Sequence, residues 1–427
     1  MNTITIPSFL EGFQNTNTTI GRTVDDRSIY LIEGILSSQE PYICQRCGTR
    51  MHSHDVYDVN LRHIPFGGDL SAVRFQKRRY ECPFCGEKSI QDVPFQAEGH
   101  RITSQLRTYC RDLLFLGLTN KTVSRLTGLG KNVVKEIDKE RLQELYCNPE
   151  GKWMVPEENP SAIGIDEFKL HDGHKYATIV ISMVSGHVLY LAKGKKKQVV
   201  YDFIDFVGEE WMDNVEVVCC DMNSDFQDAF EERCTHIQVC FDYFHIKKNL
   251  NDKVISEVRK DEQKRLASEG KKDEAASLKR SRFILTSSRG TLEKGRLEKL
   301  EKYENLLKEN RLLFAADIVK EKLSYAYSLD DECRMSDEII GIIDLCRETK
   351  NPHFRWFANL LENHFEGIIA HATYRISSSK VEGTNNMIKT LRRQAYGYPD
   401  DDYFVLKIFD ASRKTYVRNP KSPKIRD

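Results

Sequence analysis

Net charge is the first thing this sequence lacks: 64 Lys and Arg balance 64 Asp and Glu across 427 residues. That balance excludes a free-standing polyanion binder of the histone or basic-tail kind. Apolar runs are short, none near the roughly 18–20 residues a membrane helix needs, so no membrane partner is expected. Met1 to Gly12 shows no basic segment followed by an apolar one. No secretory leader is therefore expected, and the location is read as cytoplasmic. In a reducing compartment the 12 cysteines are expected to be reduced, buried or metal-bound rather than disulfide-paired. A G-x-x-x-x-G-K-[ST] loop is also missing, since Lys193-Gly194-Lys195-Lys196-Lys197 lacks its pattern, and ATP is not expected. What is present, 40% hydrophobic and 10% aromatic residues, describes a globular chain of two to four domains.

Composition shifts along the chain predict its organisation. Residues 1–100 read as a β-rich module, with Val73 and Phe75 alternating against Arg74, Gln76 and Arg78. Residues 101–150 read as two or three short helices. After a Pro-containing linker, Trp153 to Pro160, short apolar runs predict buried strands at Ala162–Ile165, Tyr176–Val184, Val188–Ala192, Val215–Cys220 and Ile237–Phe241. A mixed sheet flanked by helices follows. Residues 247–340 are Lys/Glu-rich and helical, with Leu300, Leu307 and Phe314 seven apart and Leu297, Leu306 and Leu313 beside them. Packed antiparallel helices and an intermolecular coiled coil both answer to that spacing. Helices resume at Phe354–Phe409, and residues 413–427 form a basic tail.

Two C-x-x-C knuckles, Cys44-Gln45-Arg46-Cys47 and Cys82-Pro83-Phe84-Cys85, can place four thiolates around a structural Zn²⁺. The 34 residues between them exceed ordinary ribbon spacing, and two long strands joined at Gly67-Gly68-Asp69 account for the excess. A redox dithiol would want a single pair at a helix N-terminus. His52 and His54 are read as surface residues. Cys110, Cys147, Cys219, Cys220, Cys234, Cys240, Cys333 and Cys346 lack ligand spacing and are expected to be small buried apolar residues.

Downstream, Leu118 to Leu145 reads as a helix-turn-helix, with Thr119 or Asn120 as cap and Gly128-Leu129-Gly130 as turn. From Arg101 to Leu145 nine Lys/Arg stand against five acids. Arg125, Lys131, Asn132 and Lys135 cluster at the turn, where such a motif meets DNA, and Arg74, Lys77, Arg78 and Arg79 lie upstream. A plain packed helical pair would share much of this pattern.

The carboxylates carry the chemistry. Asp166 is read as closing the strand Ile163-Gly164-Ile165, and Asp221 as closing Val217-Val218-Cys219-Cys220. An acid ending an apolar strand is costly unless paired, protonated or bound to a cation. Two on adjacent strands offer hard oxygens for Mg²⁺ or Mn²⁺. Glu382 is the candidate third, opening a helix whose apolar positions are Val381, Ile388, Leu391 and Ala395 and whose charged ones include Lys380, Lys389, Arg392 and Arg393, the last two being further candidate DNA contacts. Ser379-x-x-Glu382 is equally the pattern of a capping box.

In order and combination these segments resemble the DDE transposases of the bacterial ISL-three insertion-sequence family. The resemblance rests on both cysteine pairs, the helical hairpin, Gly164-Ile165-Asp166-Glu167-Phe168, Cys220-Asp221-Met222, Phe241-Asp242-Tyr243-Phe244-His245 and Lys380-Val381-Glu382-Gly383-Thr384-Asn385-Asn386. It implies an RNase H-like α/β catalytic domain at 161–246 and 341–412 with a helical insertion at 247–340, behind a zinc-ribbon-like module and a helix-turn-helix. Asp166, Asp221 and Glu382, spaced by 55 and 161 positions, match the family's catalytic metal-binding triad. Tyr243 stands where the family commonly has an arginine. His245 is open to two readings, a phosphate contact or a structural residue at a turn, and Asp242 is the decoy for Asp221. Implied partners are double-stranded DNA, as transposon ends and as target, and at least one further copy of the chain. A DNA-binding regulator without catalysis, and a metal-dependent nuclease without strand transfer, are the alternatives.

Overall fold

A computed structural model describes residues 10–37, 42–171, 175–222, 224–287, 289–293, 297–376, 379–395 and 397–414. The basic tail beyond Lys414 lies outside them. The chain divides into two compact units, Met1–Trp153 and Met154–Asp427. No helix among the described residues is long and apolar enough to cross a membrane.

The first unit is built on β1 (Phe13–Arg22), β2 (Ser28–Leu36), β3 (His52–Phe66), β4 (Asp69–Glu81) and β5 (Lys88–Ile90). They form one sheet in the order β1-β2-β4-β3, with β5 also paired to β4. Along β4, Val73 and Phe75 are buried while Arg74, Gln76 and Arg78 are exposed, so the period-2 pattern sets which face carries the core. That core holds Phe13, Phe75 and Phe95 edge to face, with ring centroids 5.5 to 6.3 Å apart.

Three helices follow, α1 (Ser104–Phe115), α2 (Asn120–Thr127) and α3 (Lys131–Tyr146). Thr103 and Thr119 cap α1 and α2, each accepting a backbone amide with its hydroxyl. Leu106, Cys110, Leu114, Val123, Val134 and Ile137 close a small core between them. Leu126, apolar in sequence, faces outward. Within α3, Arg141 pairs with the fully buried Asp138 at 2.9 Å.

In the second unit a five-stranded sheet runs in the order β10-β9-β6-β7-β8, from β6 (Ala162–His171), β7 (Lys175–Ser182), β8 (Val188–Lys193), β9 (Val217–Cys220) and β10 (Gln238–Phe241). β6, β7 and β8 form an antiparallel meander, and β9 and β10 join β6 in parallel. All four residues of β9 are buried, as a strand covered on both faces should be.

The Lys/Glu-rich segment forms packed helices whose Leu278, Leu285, Leu292, Tyr303 and Leu313 enter the same core as β9 and β10. Leu300, Leu306 and Leu307 pack against that core, and Phe314 is left exposed. The heptad spacing is therefore spent inside this chain rather than on a coiled coil between chains. Two cysteine expectations change: Cys333 is exposed and Cys147 half-buried, because one sits in a helix's first solvent-facing turn and the other at a helix's end.

Candidate functional site

At the cysteine pairs, β3 and β4 form an antiparallel hairpin in which His52 stands opposite Glu81. That register returns the two knuckles to the same end. Each knuckle turns back on itself, with the Gly48 amide donating to Cys44 O and the Gly86 amide to Cys82 O, both 2.9 Å. Gly48 and Gly86 adopt φ of 72° and 71°, a region that L side chains avoid. The four Sγ atoms lie within 4.8 Å of one another, with contacts of 3.4, 3.5 and 3.6 Å. Thiolates at about 2.3 Å from a tetrahedral Zn²⁺ stand roughly 3.8 Å apart, so this cluster fits a structural zinc. Thr49, through its hydroxyl and amide, pulls the Cys47 thiol down to about 6, readying it as a ligand. His54 instead faces Glu81, 3.2 Å away on the surface.

Among the DNA-contact candidates, Arg125, Lys131 and Asn132 are exposed around the turn between α2 and α3, and Lys135 is half-buried one turn further on. The Arg125 carbonyl accepts from the Arg27 guanidinium at 2.8 Å, tying the end of α2 to the β1–β2 turn.

In the second unit one cavity of about 380 Å³ is lined by Asp166, Glu167, Asp221, Asp242, His245, Glu382, Asn385 and Lys389, among others. Two of its carboxylates, Asp221 and Asp242, directly follow the parallel strands β9 and β10, the usual ligand position in such sheets. Asp166 corrects the expectation that it closes its strand: β6 continues to His171, because its pairing with β7 runs on through Asp166 opposite Ile179. Its pairing with the short β9 stops at Gly164, two residues earlier, so Asp166 borders open space on that side only.

Glu382 arrives in the first turn of the helix Ser379–Gln394, whose preceding residues 377–378 lie outside those described. The helix lies close against β6 because Gly164 has no side chain. A Cβ there would stand 2.6 Å from Met183 Sδ and 2.7 Å from Val381 Cγ2. Three polar side chains fix the helix: Lys380 Nζ donates to the Met183 and Val184 carbonyls, Asn385 Nδ2 to Asp166 Oδ2 at 2.6 Å, and Arg392 to Lys169 O at 3.3 Å. Arg393 is exposed and donates to Lys389 O. The buried face reads Val381, Thr384, Asn385 and Ile388, while Ala395 is exposed and Leu391 half-buried. The apolar reading extended that face one turn too far.

Gly164→Val is expected to cost about 1–3 kcal/mol by overpacking. It should also slow, about 100-fold, any reaction that needs Asp166 and Glu382 together, the scale of a misplacement near 1 Å. Thermal melting and an activity assay check both, and a wild-type rate would overturn the role given to this glycine.

Burial is the main reason the Asp166 carboxyl sits above its ordinary range, and the neighbouring Asp221 adds to it. Opposing this are the Glu167 amide, which donates to Asp166 Oδ1 at 2.8 Å, His245, and the Asn385 amide. His245 Nδ1 lies 3.4 Å from Asp221 Oδ1. Asp242, 4% exposed, accepts the Phe244 amide and so caps the helix Tyr243–Asn249. Two buried acceptors on the cavity wall, Glu167 Oε2 and Asn385 Oδ1, have no hydrogen-bond partner. Such a donor set, hard oxygens and unpartnered acceptors around a buried carboxylate, suits a divalent cation. Among the described residues the four cysteines are the one set of three or more ligating side chains within 4.8 Å, and Asp166, Asp221 and Glu382 do not form such a set.

Asn385, Asn386, Lys389 and Glu167 line the cavity without having been singled out as site residues. Helical periodicity carried the signal, since positions three, four and seven beyond Glu382 share its face.

The chain thus joins a five-stranded sheet with acids after its parallel strands to a four-cysteine cluster, and comparison with known proteins makes the class specific. Residues 163–408 match the DDE family of ISL3 type described as transposase, and residues 40–85 match the zinc-finger of transposase IS204/IS1001/IS1096/IS1165. The chain belongs to the ISL3 family of DDE transposases. It is 27% identical over 391 residues, 91% of each chain, to the transposase for insertion sequence element IS1001 of Bordetella parapertussis. To the transposase for insertion sequence element IS1557 of Mycobacterium tuberculosis it is 27% identical over 260 residues, 56% of this chain and 57% of that one.

Proposed function

We propose that this chain cuts DNA at the terminal inverted repeats of an insertion sequence and joins the freed ends to target DNA, with Asp166, Asp221 and Glu382 as the catalytic carboxylates. The observation that carries this reading is their presence on one cavity wall although they lie 55 and 161 positions apart in sequence. The 161–246 and 341–412 segments are assigned to an RNase H-like catalytic domain, interrupted by the helices of 247–340. Residues 1–100 and 101–150 are assigned to end recognition, the zinc ribbon with a helix-turn-helix whose turn presents Arg125, Lys131, Asn132 and Lys135. Bringing two ends together calls for at least two copies of the chain.

When bound, Mg²⁺ or Mn²⁺ supplies Lewis-acid chemistry for in-line attack of water, and later of a 3′-hydroxyl, on phosphorus. The protein's own contribution is placement. Asp166 and Asp221 are held by strands that cannot shift separately, and Glu382 by a helix locked onto β6. Asn385 orients the Asp166 carboxylate and favours its charged form. His245 steadies Asp221, and Lys389 and Arg393 offer positive charge to the DNA backbone.

The test is incubation of the purified chain with linear DNA carrying the element's end and Mg²⁺ or Mn²⁺. Cleavage leaving a 3′-hydroxyl, followed by joined products, is the expected result. Binding without cleavage would favour the regulator reading, and cleavage without joining the nuclease. Asn385→Ala should slow cleavage about tenfold or more, the effect of losing a hydrogen bond to a charged group. End binding should not change, and an unchanged cleavage rate would remove Asn385 from the site.

A further inference from the structure

A second groove, of about 370 Å³, lies beside the carboxylate cavity and is lined by Phe244, Lys247, Lys248, Asn251, Arg282 and Phe283, among others. Phe244 lines both, its ring 5.6 Å from that of His245, so the groove continues from the proposed cleavage centre. Phe283 is 80% exposed and Phe244 48%. Large apolar rings in a charged groove, left in water, mark a binding surface rather than a core.

The backbone supports the same view. The helix Tyr243–Asn249 runs directly into a π-helical turn at Leu250–Ile255, a rare geometry that concentrates at functional sites. That turn brings Asn251 to the groove with its Oδ1 buried and unpartnered. Asp252 holds Arg282 at 3.0 Å, beside Phe283 at the start of the helix Arg282–Thr286. Lys247, Lys248 and Arg282 outnumber the single acid of the wall, Asp252.

We propose that this groove holds an unstacked nucleotide of the DNA strand next to the cleaved phosphate, its base against Phe283 and Phe244 and its phosphates at Lys247 and Lys248. The proposal rests on the reading of the carboxylate cavity as a DNA cleavage site. Intact duplex hides its base faces and would engage only the cations. Two exposed rings gain contact only from a base drawn out of the stack. The volume lies in the lower part of the roughly 300–1,000 Å³ usual for ligand sites, suited to one nucleotide rather than a helix.

The full chain, without added divalent cation, is titrated against a labelled single strand and against the blunt duplex of the same element end. Phe283→Ala should weaken single-strand binding roughly 5- to 150-fold, the range for losing one base-stacking ring. Phe283→Trp should restore it, and duplex affinity should stay within about twofold. Equal single-strand affinity of wild type and Phe283→Ala overturns the proposal. Cleavage is scored separately: a wild-type chain that shows the stacking effect but never cuts DNA overturns the catalytic reading alone.

Discussion

Asp221→Asn is expected to abolish DNA cleavage while leaving end binding as it was. The substitution keeps the shape of the side chain and removes one negative charge from a wall built of acceptors. An oxygen that holds a divalent cation contributes several kcal/mol to stabilising the charge of the reacting phosphate. About 4 kcal/mol is roughly a thousandfold in rate. Folding should be spared, because Asp221 follows β9 rather than lying within it, and its near neighbour His245 stays 3.4 Å away across a polar gap. End binding should be spared because its proposed residues lie in the other unit, Met1–Trp153. A cleavage gel and a binding titration decide the matter together. Retained cleavage would pass the role to Asp242, the other acid after a parallel strand, and lost binding would break the assignment of recognition to the first unit.

The second large effect is expected at the zinc ribbon. Cys82 is buried, in contact with Cys47 at 3.4 Å, and packed in a small cluster with Met51 and Tyr80. The Tyr42 ring stacks on Tyr80 at 4.3 Å, and β5 pairs with β4 at Arg79–Glu81, but the knuckles themselves are short turns converging on the four sulfurs. Structural zinc contributes on the order of 10–16 kcal/mol in small zinc-finger peptides, as much as the whole stability of many domains. Cys82→Ser, or removal of zinc by a chelator, should therefore unfold both knuckles and abolish end binding. Zinc content, far-ultraviolet circular dichroism and the same binding titration report on it. A zinc-free wild-type chain that still binds ends would refute the dependence. The second unit has its own core and should keep its folded signal.

Both predictions begin from residues that are legible in sequence, and the reason is local. A C-x-x-C pair specifies its own knuckle, and the period-2 pattern around Val73 and Phe75 identifies the strand that returns it. Asp221 was readable because β9 is short and wholly buried, so the first polar residue after it marks the strand's end. Asp166 was misplaced because a strand's end depends on its neighbours: β7 extends the ladder past Asp166, whereas β9 leaves it at Gly164. Asn385 escaped because periodicity counts apolar residues, and a polar side chain facing inward looks like a break in the pattern until its partner, 219 positions away, is seen.

By itself, then, the sequence determined the two C-x-x-C knuckles, the helical hairpin and the short motifs that point to the family, since each is written in short-range spacing. Only the tertiary structure decided that Gly164 lets the Glu382 helix settle on β6, that Asn385 meets Asp166, and that the Lys/Glu-rich helices join the core of the sheet. Those contacts join segments far apart in the chain, and their geometry is set by packing that no local pattern encodes.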